Sequence, residues 1–300
     1  MILARPAPSV RIRTPRLKPA RLALHAFLIL MVAGWLFPLL WAIYTALRPL
    51  ADTTLHGYYS WATSLGLSNF TTVWTEAQLP FFYWNTLIIV IPGVILTLLI
   101  ASMVAFALTQ FSWKFNLIVL MLFTAGNLLP PQVIIIPLYR LYLSIPIPIE
   151  FLSDNGLLYD QYIGIILIHV VFQTGFATFV LSNYMRTITR EITESALVDG
   201  ANVLRIWWSV ILPLCRPALA AMATLLFTFM YNDFFWALIL MKSGDKRPIV
   251  SALNNLQGAF FTNYNVVAAG ALLAAVPPIL VYIALQKQFV RGLTLGATKG

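Results

Sequence analysis

Five stretches of this chain run for 25 residues or more without a Lys, Arg, Asp or Glu: 22–47, 77–113, 115–139, 161–185 and 248–286. The fifth apolar run in chain order, 217–241, is interrupted only by Asp233, and the sixth lies within 248–286. A bilayer core needs about 20 apolar residues in a helix. Backbone groups in lipid must bond within their own segment, and these runs are continuous rather than alternating, which favours helices over a β-barrel. The expected fold is therefore an all-α polytopic membrane protein with six transmembrane helices, at about 22–47, 86–110, 115–139, 161–185, 217–241 and 266–286. Composition agrees: 60% of residues are apolar and 10% charged, against about 45–50% and about 25% in soluble domains.

Orientation follows from loop cations, which accumulate on the cytoplasmic side. The tail 1–21, Lys114, the connection 186–216 and the tail 287–300 together carry fourteen of the nineteen Lys and Arg residues. The connections 48–85, 140–160 and 242–265 carry the other five: Arg48, Arg140, Lys242, Lys246 and Arg247. Both termini and the segment 186–216 are thus expected in the cytoplasm. The basic tail 1–21 reads as a topology anchor touching anionic lipid. The net charge of +9 is explained by this distribution and calls for no nucleic acid. The first apolar run is longer than the roughly 7–15 residues of a cleavable signal core, so it is expected to remain as a span. Outside, 140–160 is acidic, with Glu150, Asp154 and Asp160. Cys215 is the single cysteine, which excludes an internal disulfide and reads as a small apolar filler.

Catalytic motifs are missing. His25, His56 and His169 are scattered and lack metal-ligand spacing. No lysine follows a glycine, which excludes a G-x-x-x-x-G-K-[ST] phosphate loop. The chain does not read as an enzyme, and no metal or cofactor is expected on it. ATP-driven transport would need ATP and Mg on a partner chain.

The segment "ESALVDGANVLRIWWSVILPL", 194–214, is polar for its place between two spans. Glu191 and Glu194 favour the positive end of a short helix over about 191–198. Asp199-Gly200 signals a turn, with Gly200 suited to the left-handed conformation that ends a helix. Asn202 is a plausible N-cap for a second helix, in which Val203, Trp207, Val210 and Leu214 form an apolar stripe. Pro213 and Pro217 break the chain before the fifth span. This helix–turn–helix either rests on lipid through its tryptophans or docks a soluble partner.

Residues Glu194-Ser195-Ala196, three residues, Gly200, nine residues, then Val210-Ile211-Leu212-Pro213 resemble the E-A-A-x-x-x-G-x(9)-I-x-L-P signature of inner-membrane permease subunits of binding-protein-dependent ABC importers. Ser195 stands for the first alanine and Val210 for the isoleucine, with the spacing intact. "LSNFTTVW" (67–74), "NLLPPQVIIIPLYRLY" (127–142), "YNDFFWAL" (231–238) and "FVRGLTLGATKG" (289–300) resemble the carbohydrate-import permeases of the maltose-transporter type. The resemblance implies an assembly in a bacterial or archaeal inner membrane. It would contain this subunit, a second related permease, two cytoplasmic ATPase subunits and an extracytoplasmic solute-binding protein. The loop 191–214 would be its coupling helix. Glu194 would offer a carboxylate to an ATPase cation, Gly200 would set the bend, and Ser195, Ala196, Asp199, Ala201, Leu212 and Pro213 would complete the docking element.

A carbohydrate, expected to be a di- or oligosaccharide, would pass polar residues within the spans, since such residues usually face a cavity or another helix. Asn127, Gln132, His169, Gln173, Tyr231, Asn232 and Asp233 are the candidates, with hydrogen bonding between helices as the competing reading. Ala101/Ala105 and Gly270/Ala274 have the spacing for close helix approach, within this chain or against the second permease. The alternatives are a solitary secondary transporter or channel, an importer of a non-sugar solute, and a membrane-embedded enzyme. A secondary transporter usually shows internal repeats and intramembrane charges; Asp233 is the only such charge in the spans, and no repeat is evident.

Overall fold

A computed structural model describes residues 19–126, 130–257 and 262–294, with side chains through residue 286. The described residues are nearly all helical and contain no strand beyond two isolated bridges, Pro146–Leu157 and Gln257–Thr262. Helices α1 (Pro19–Leu47), α2 (Leu50–His56), α3 (Ser68–Thr75), α4 (Leu79–Gln110), α5 (Asn116–Gly126) and α6 (Ile135–Ser144) form the first half. They are followed by α7 (Tyr162–Met185), α8 (Arg190–Val198), α9 (Val203–Ile206), α10 (Leu212–Leu214), α11 (Arg216–Tyr231), α12 (Phe235–Leu240), α13 (Ile249–Ala252) and α14 (Tyr264–Thr294).

Among the described residues, four helices are long and apolar enough to span a bilayer: Pro19–Leu47, Leu79–Gln110, Tyr162–Met185 and Tyr264–Gln286. Two bent pairs, Asn116–Gly126 with Pro131–Ser144 and Val203–Leu214 with Arg216–Tyr231, would raise the number to six. Expected boundaries change at several spans. The third run, 115–139, is divided between α5, which ends at Gly126, and the helix that reaches Ser144, the two bent by 83°. The second span begins at Leu79 rather than 86, because Pro80 suits the first helical turn, where its missing N–H costs nothing. The run 217–241 is not one helix: α11 ends at Tyr231 and α12 starts at Phe235. The carboxylate of Asp233 accepts the backbone N–H groups of Trp236 (3.1 Å) and Ala237 (3.2 Å), capping the new helix. The last helix continues past 286 to Thr294, so part of the expected tail is helical.

The stretch 19–44 is a unit of its own, a helix with exposed apolar side chains such as Trp35 and Ile29. Within 45–300, α4, α7, α11 and α14 pack around a core that includes Val90, Ala105, Leu181, Met222, Leu226 and Ala269. A second cluster joins Ile89, Tyr142, Ile165, Ile168, Trp236 and Leu240. Ala101 and Ala105 are wholly buried in the first cluster. At Gly270 an added Cβ would come within 2.9 Å of Leu253 and 3.0 Å of Leu256. Both small-residue pairs therefore serve packing within this chain.

α14 contains Pro277 and Pro278. A helical proline cannot bond the carbonyl four residues before it, which frees the carbonyls of Leu273 and Ala274. The hydroxyl of Tyr83 donates to Leu273 O (2.5 Å) and that of Tyr231 to Ala274 O (2.8 Å). Two tyrosines, from α4 and α11, thus satisfy the two freed carbonyls, as lipid-buried backbone requires. Tyr231→Phe should cost about 1 kcal/mol of stability, read as a lower midpoint in detergent unfolding with the helix content retained. An unchanged midpoint would show that the proline break needs no such partner.

The end of the bundle at the start of α4 is stitched by polar side chains. Asn69 and Asn265 donate to the carbonyls of Thr45, Ala46 and Arg48 at the end of α1, at 2.8–3.0 Å; of these, Thr45 O also accepts the Arg48 N–H at 3.2 Å. Buried Arg48 bonds Asp52 (2.6 Å), Gly57 O (3.0 Å) and Ser60 Oγ (2.7 Å). Thr63 donates its hydroxyl and its N–H to Asp52. These hydrogen bonds, from Thr63 first and then Arg48, hold the Asp52 carboxyl at about 2, below its ordinary 3.8. A lowered pKa stabilises the folded clasp above the ordinary value. That contribution is complete above pH about 4 and lost as pH falls towards 2. Asp52→Asn should reproduce the acid state at neutral pH, seen as faster proteolytic cleavage within 57–63. Equal cleavage rates would contradict it.

The acidic connection finds cations at this same end. Lys246 Nζ lies 2.6 Å from Asp154, whose pKa is lowered first by Lys246 and then by Gln161. Asp160, with a positive φ of 64°, accepts the backbone N–H groups of Lys242 (2.8 Å) and Ser243 (2.9 Å). The segments 140–160 and 242–247 are thereby tied together.

Candidate functional site

The opposite end of α4 carries the loop between the two later spans. α8 covers Arg190–Val198, and the chain reverses at Gly200 with φ 79°, a left-handed conformation that costs glycine least. Nothing lies within 4 Å of a Cβ built on Gly200, so backbone conformation alone selects the glycine. The Asn202 side chain accepts the N–H of Arg205 at 2.8 Å, capping α9 as the sequence led one to expect. A single π turn, Trp207–Ile211, follows, and the axis bends by 80° before Arg216–Tyr231.

That π turn corrects the expected stripe. Val203 and Leu214 are exposed, whereas Ile206, Trp207, Ile211 and Cys215 are buried. The wider turn advances the register by one residue, so the buried face runs through adjacent positions rather than the spacing 203, 207, 210, 214. Trp208 is exposed while Trp207 is buried, which divides the tryptophan pair between two roles. Cys215 is wholly buried, as an apolar filler.

Glu194, Ser195, Asp199, Gly200 and Pro213 are exposed, and Leu212 is half-buried. Ala196 and Ala201 are half-buried and pack on the protein's own core. Around the exposed carboxylates lie exposed apolar residues: Trp208, one of the two tryptophans expected to meet lipid or a partner, and Leu197, Val198 and Leu204, which carry no sequence signal of their own, with Val198 at 89% exposure. Also unremarked in the sequence was Gln110, a lone carboxamide at the end of a charge-free run. Its Nε2 donates to Met185 O at 3.3 Å, and its Oε1 accepts the Thr193 hydroxyl at 2.8 Å.

The candidate path residues divide. Asn127 lies outside the described residues. Gln132 and Asn232 are exposed and Gln173 is half-buried; Asn232 Nδ2 donates to Thr228 O of its own helix at 2.8 Å. Tyr231 is buried with its hydroxyl committed to α14, the interhelical role that competed with the path reading. His169 on α7 and Asp233 at the α11–α12 break come together, with Nε2 3.4 Å from Oδ2, close enough for a charge contact but without hydrogen-bond alignment. Within the same stretch, Trp236 is buried against Phe172, with ring centroids 5.3 Å apart.

Long apolar helices, a broken fifth run and an exposed helix–turn–helix at one end are the features of a polytopic membrane protein. The chain belongs to the binding-protein-dependent transport system inner membrane components, whose pattern matches residues 93–295. It is 34% identical over 78% of its length to the α-glucoside transport system permease protein AglG of Rhizobium meliloti, spanning 60% of that protein. It is 31% identical over 88% of its length to the arabinooligosaccharides transport system permease protein AraQ of Halalkalibacterium halodurans, spanning 91% of it. The fold matches a chain in the crystal structure of a bacterial ABC transporter involved in importing the acidic polysaccharide alginate. That match has a TM-score of 0.75 at 23% identity, over 92% of this chain and 100% of that one.

Proposed function

We propose that this chain is the transmembrane permease subunit of an ATP-driven ABC importer and forms half of the path for a di- or oligosaccharide. The related α-glucoside and arabinooligosaccharide permeases support the carbohydrate class. Six spans with both termini cytoplasmic accord with the loop cations. The same distribution gives the end bearing Arg48, Asp154 and Asp160 the extracytoplasmic side, where a solute-binding protein would dock.

The observation that carries the reading is the exposed α8–Gly200–α9 element. It combines a carboxylate pair, Glu194 and Asp199, with exposed Leu197, Val198, Leu204 and Trp208, a mixture suited to a protein cleft. Two ATPase subunits would supply ATP hydrolysis with Mg, one docking here and one on a second permease. Closure of the ATPases would move α8 as a rigid body, and packed two-state elements carry such motion well. Gln132, Gln173 and Asn232 are the polar groups best placed to meet solute, with His169 and Asp233 bracing the break beside them.

Affinity purification of the tagged chain from native membranes tests the assembly. A second permease and an ATPase at two copies per complex are the expected companions. Purification of this chain alone, with transport activity intact, would overturn the proposal.

A further inference from the structure

We infer that Gln110 and Thr193 form the joint through which movement of α8 reaches the spans α4 and α7. This rests on the proposed docking of α8 on an ATPase. Gln110 is the last residue of α4 and is 7% exposed; Thr193, on α8, is 2% exposed. The Gln110 amide donates to the carbonyl of Met185, the last residue of α7, at 3.3 Å. Its carbonyl oxygen accepts the Thr193 hydroxyl at 2.8 Å. One side chain thereby binds three helices at a single buried point.

The chemistry suits a joint. A carboxamide offers donor and acceptor on one planar group, and both are used. The Met185 carbonyl also accepts the Ile188 N–H at 3.0 Å, so Gln110 supplies its second donor while ending α4 itself. Apolar contact sets how closely elements approach, whereas aligned hydrogen bonds also fix their register and resist separation. A reversible stroke needs both. Arg190 adds a longer link from α8 to Thr109 O at 3.4 Å. Thr193 is adjacent to exposed Glu194, so the anchored face and the docking face share one helix of nine residues.

The test uses the full transporter in proteoliposomes, with both permeases, the ATPases and the binding protein. Thr193→Val and Gln110→Leu keep the volume and remove the bond. Both variants should retain all subunits and hydrolyse ATP. Solute moved per ATP should fall about tenfold, as expected when a buried pair loses one partner. Thr193→Ser, which keeps the hydroxyl, should restore the ratio, and the double variant should be no worse than either single one. A wild-type ratio in both single variants would overturn the inference. So would loss of the ATPases from either variant, which would assign the pair to docking instead. If the wild-type chain itself holds no ATPase, the docking proposal fails first and the joint with it.

Discussion

Gly200→Val is expected to insert into the membrane normally and to abolish solute uptake. The residue sits at φ 79° with no atom within 4 Å of a built Cβ, so no clash explains the loss. The cost lies in the backbone. A β-branched residue in the left-handed region costs about 1–3 kcal/mol, which is enough to reopen an exposed two-residue turn. α8 and α9 would then no longer be presented at their fixed angle. Asparagine tolerates this conformation, so Gly200→Asn should keep most of the uptake. The contrast between the two variants separates a conformational requirement from a steric one. Normal uptake by the valine variant would remove the turn from the coupling route.

Glu194→Lys is expected to release the ATPase subunits from the purified complex. Glu194 is exposed and makes no ion pair among the described residues, so its carboxylate is available to a partner. A charge-assisted hydrogen bond to an ATPase cation is the strong type of polar contact. Once desolvated in the interface, reversing one member should weaken association by about 30-fold or more. Glu194→Gln should weaken it less, because the amide still accepts a hydrogen bond. Retention of the ATPases by the lysine variant at high salt would show that the apolar residues Leu197, Val198, Leu204 and Trp208 hold the interface without it.

Much of the fold could be read from the chain because charge-free runs of bilayer length are a strong signal. The α8–turn–α9 element was legible for a different reason: Gly200 and Asn202 act locally, through a positive φ and a side-chain cap, and need no tertiary information. What sequence periodicity could not reveal depended on partners far along the chain. The stripe 203, 207, 210, 214 assumed 3.6 residues per turn, and one π turn at Trp207–Ile211 shifted it. Asn232-Asp233 signals the break after Tyr231, but a carboxylate inside an apolar run points equally to a solute path, and only its bonds to Trp236 N and Ala237 N identify it as a cap for α12. Tyr231 has the chemistry of a sugar contact, but its hydroxyl is on the carbonyl freed by Pro278. Gln110 gave no signal because its partners, Met185 and Thr193, lie 75 and 83 residues away.

The path candidates show the same limit. His169 and Asp233 are 64 residues apart in the sequence and 3.4 Å apart in space. Only the packing of α7 against the α11–α12 break brings them together.

The central claim is that the exposed end of α8 sits in an ATPase. Val198, 89% exposed on α8, offers the most direct test, since the single native cysteine, Cys215, is buried. Val198→Cys in the assembled transporter should cross-link to an ATPase subunit with a short thiol-reactive reagent. Phe151→Cys, at the other end of the bundle and 94% exposed, should not. A Val198→Cys transporter that imports solute normally yet forms no ATPase cross-link would contradict the account.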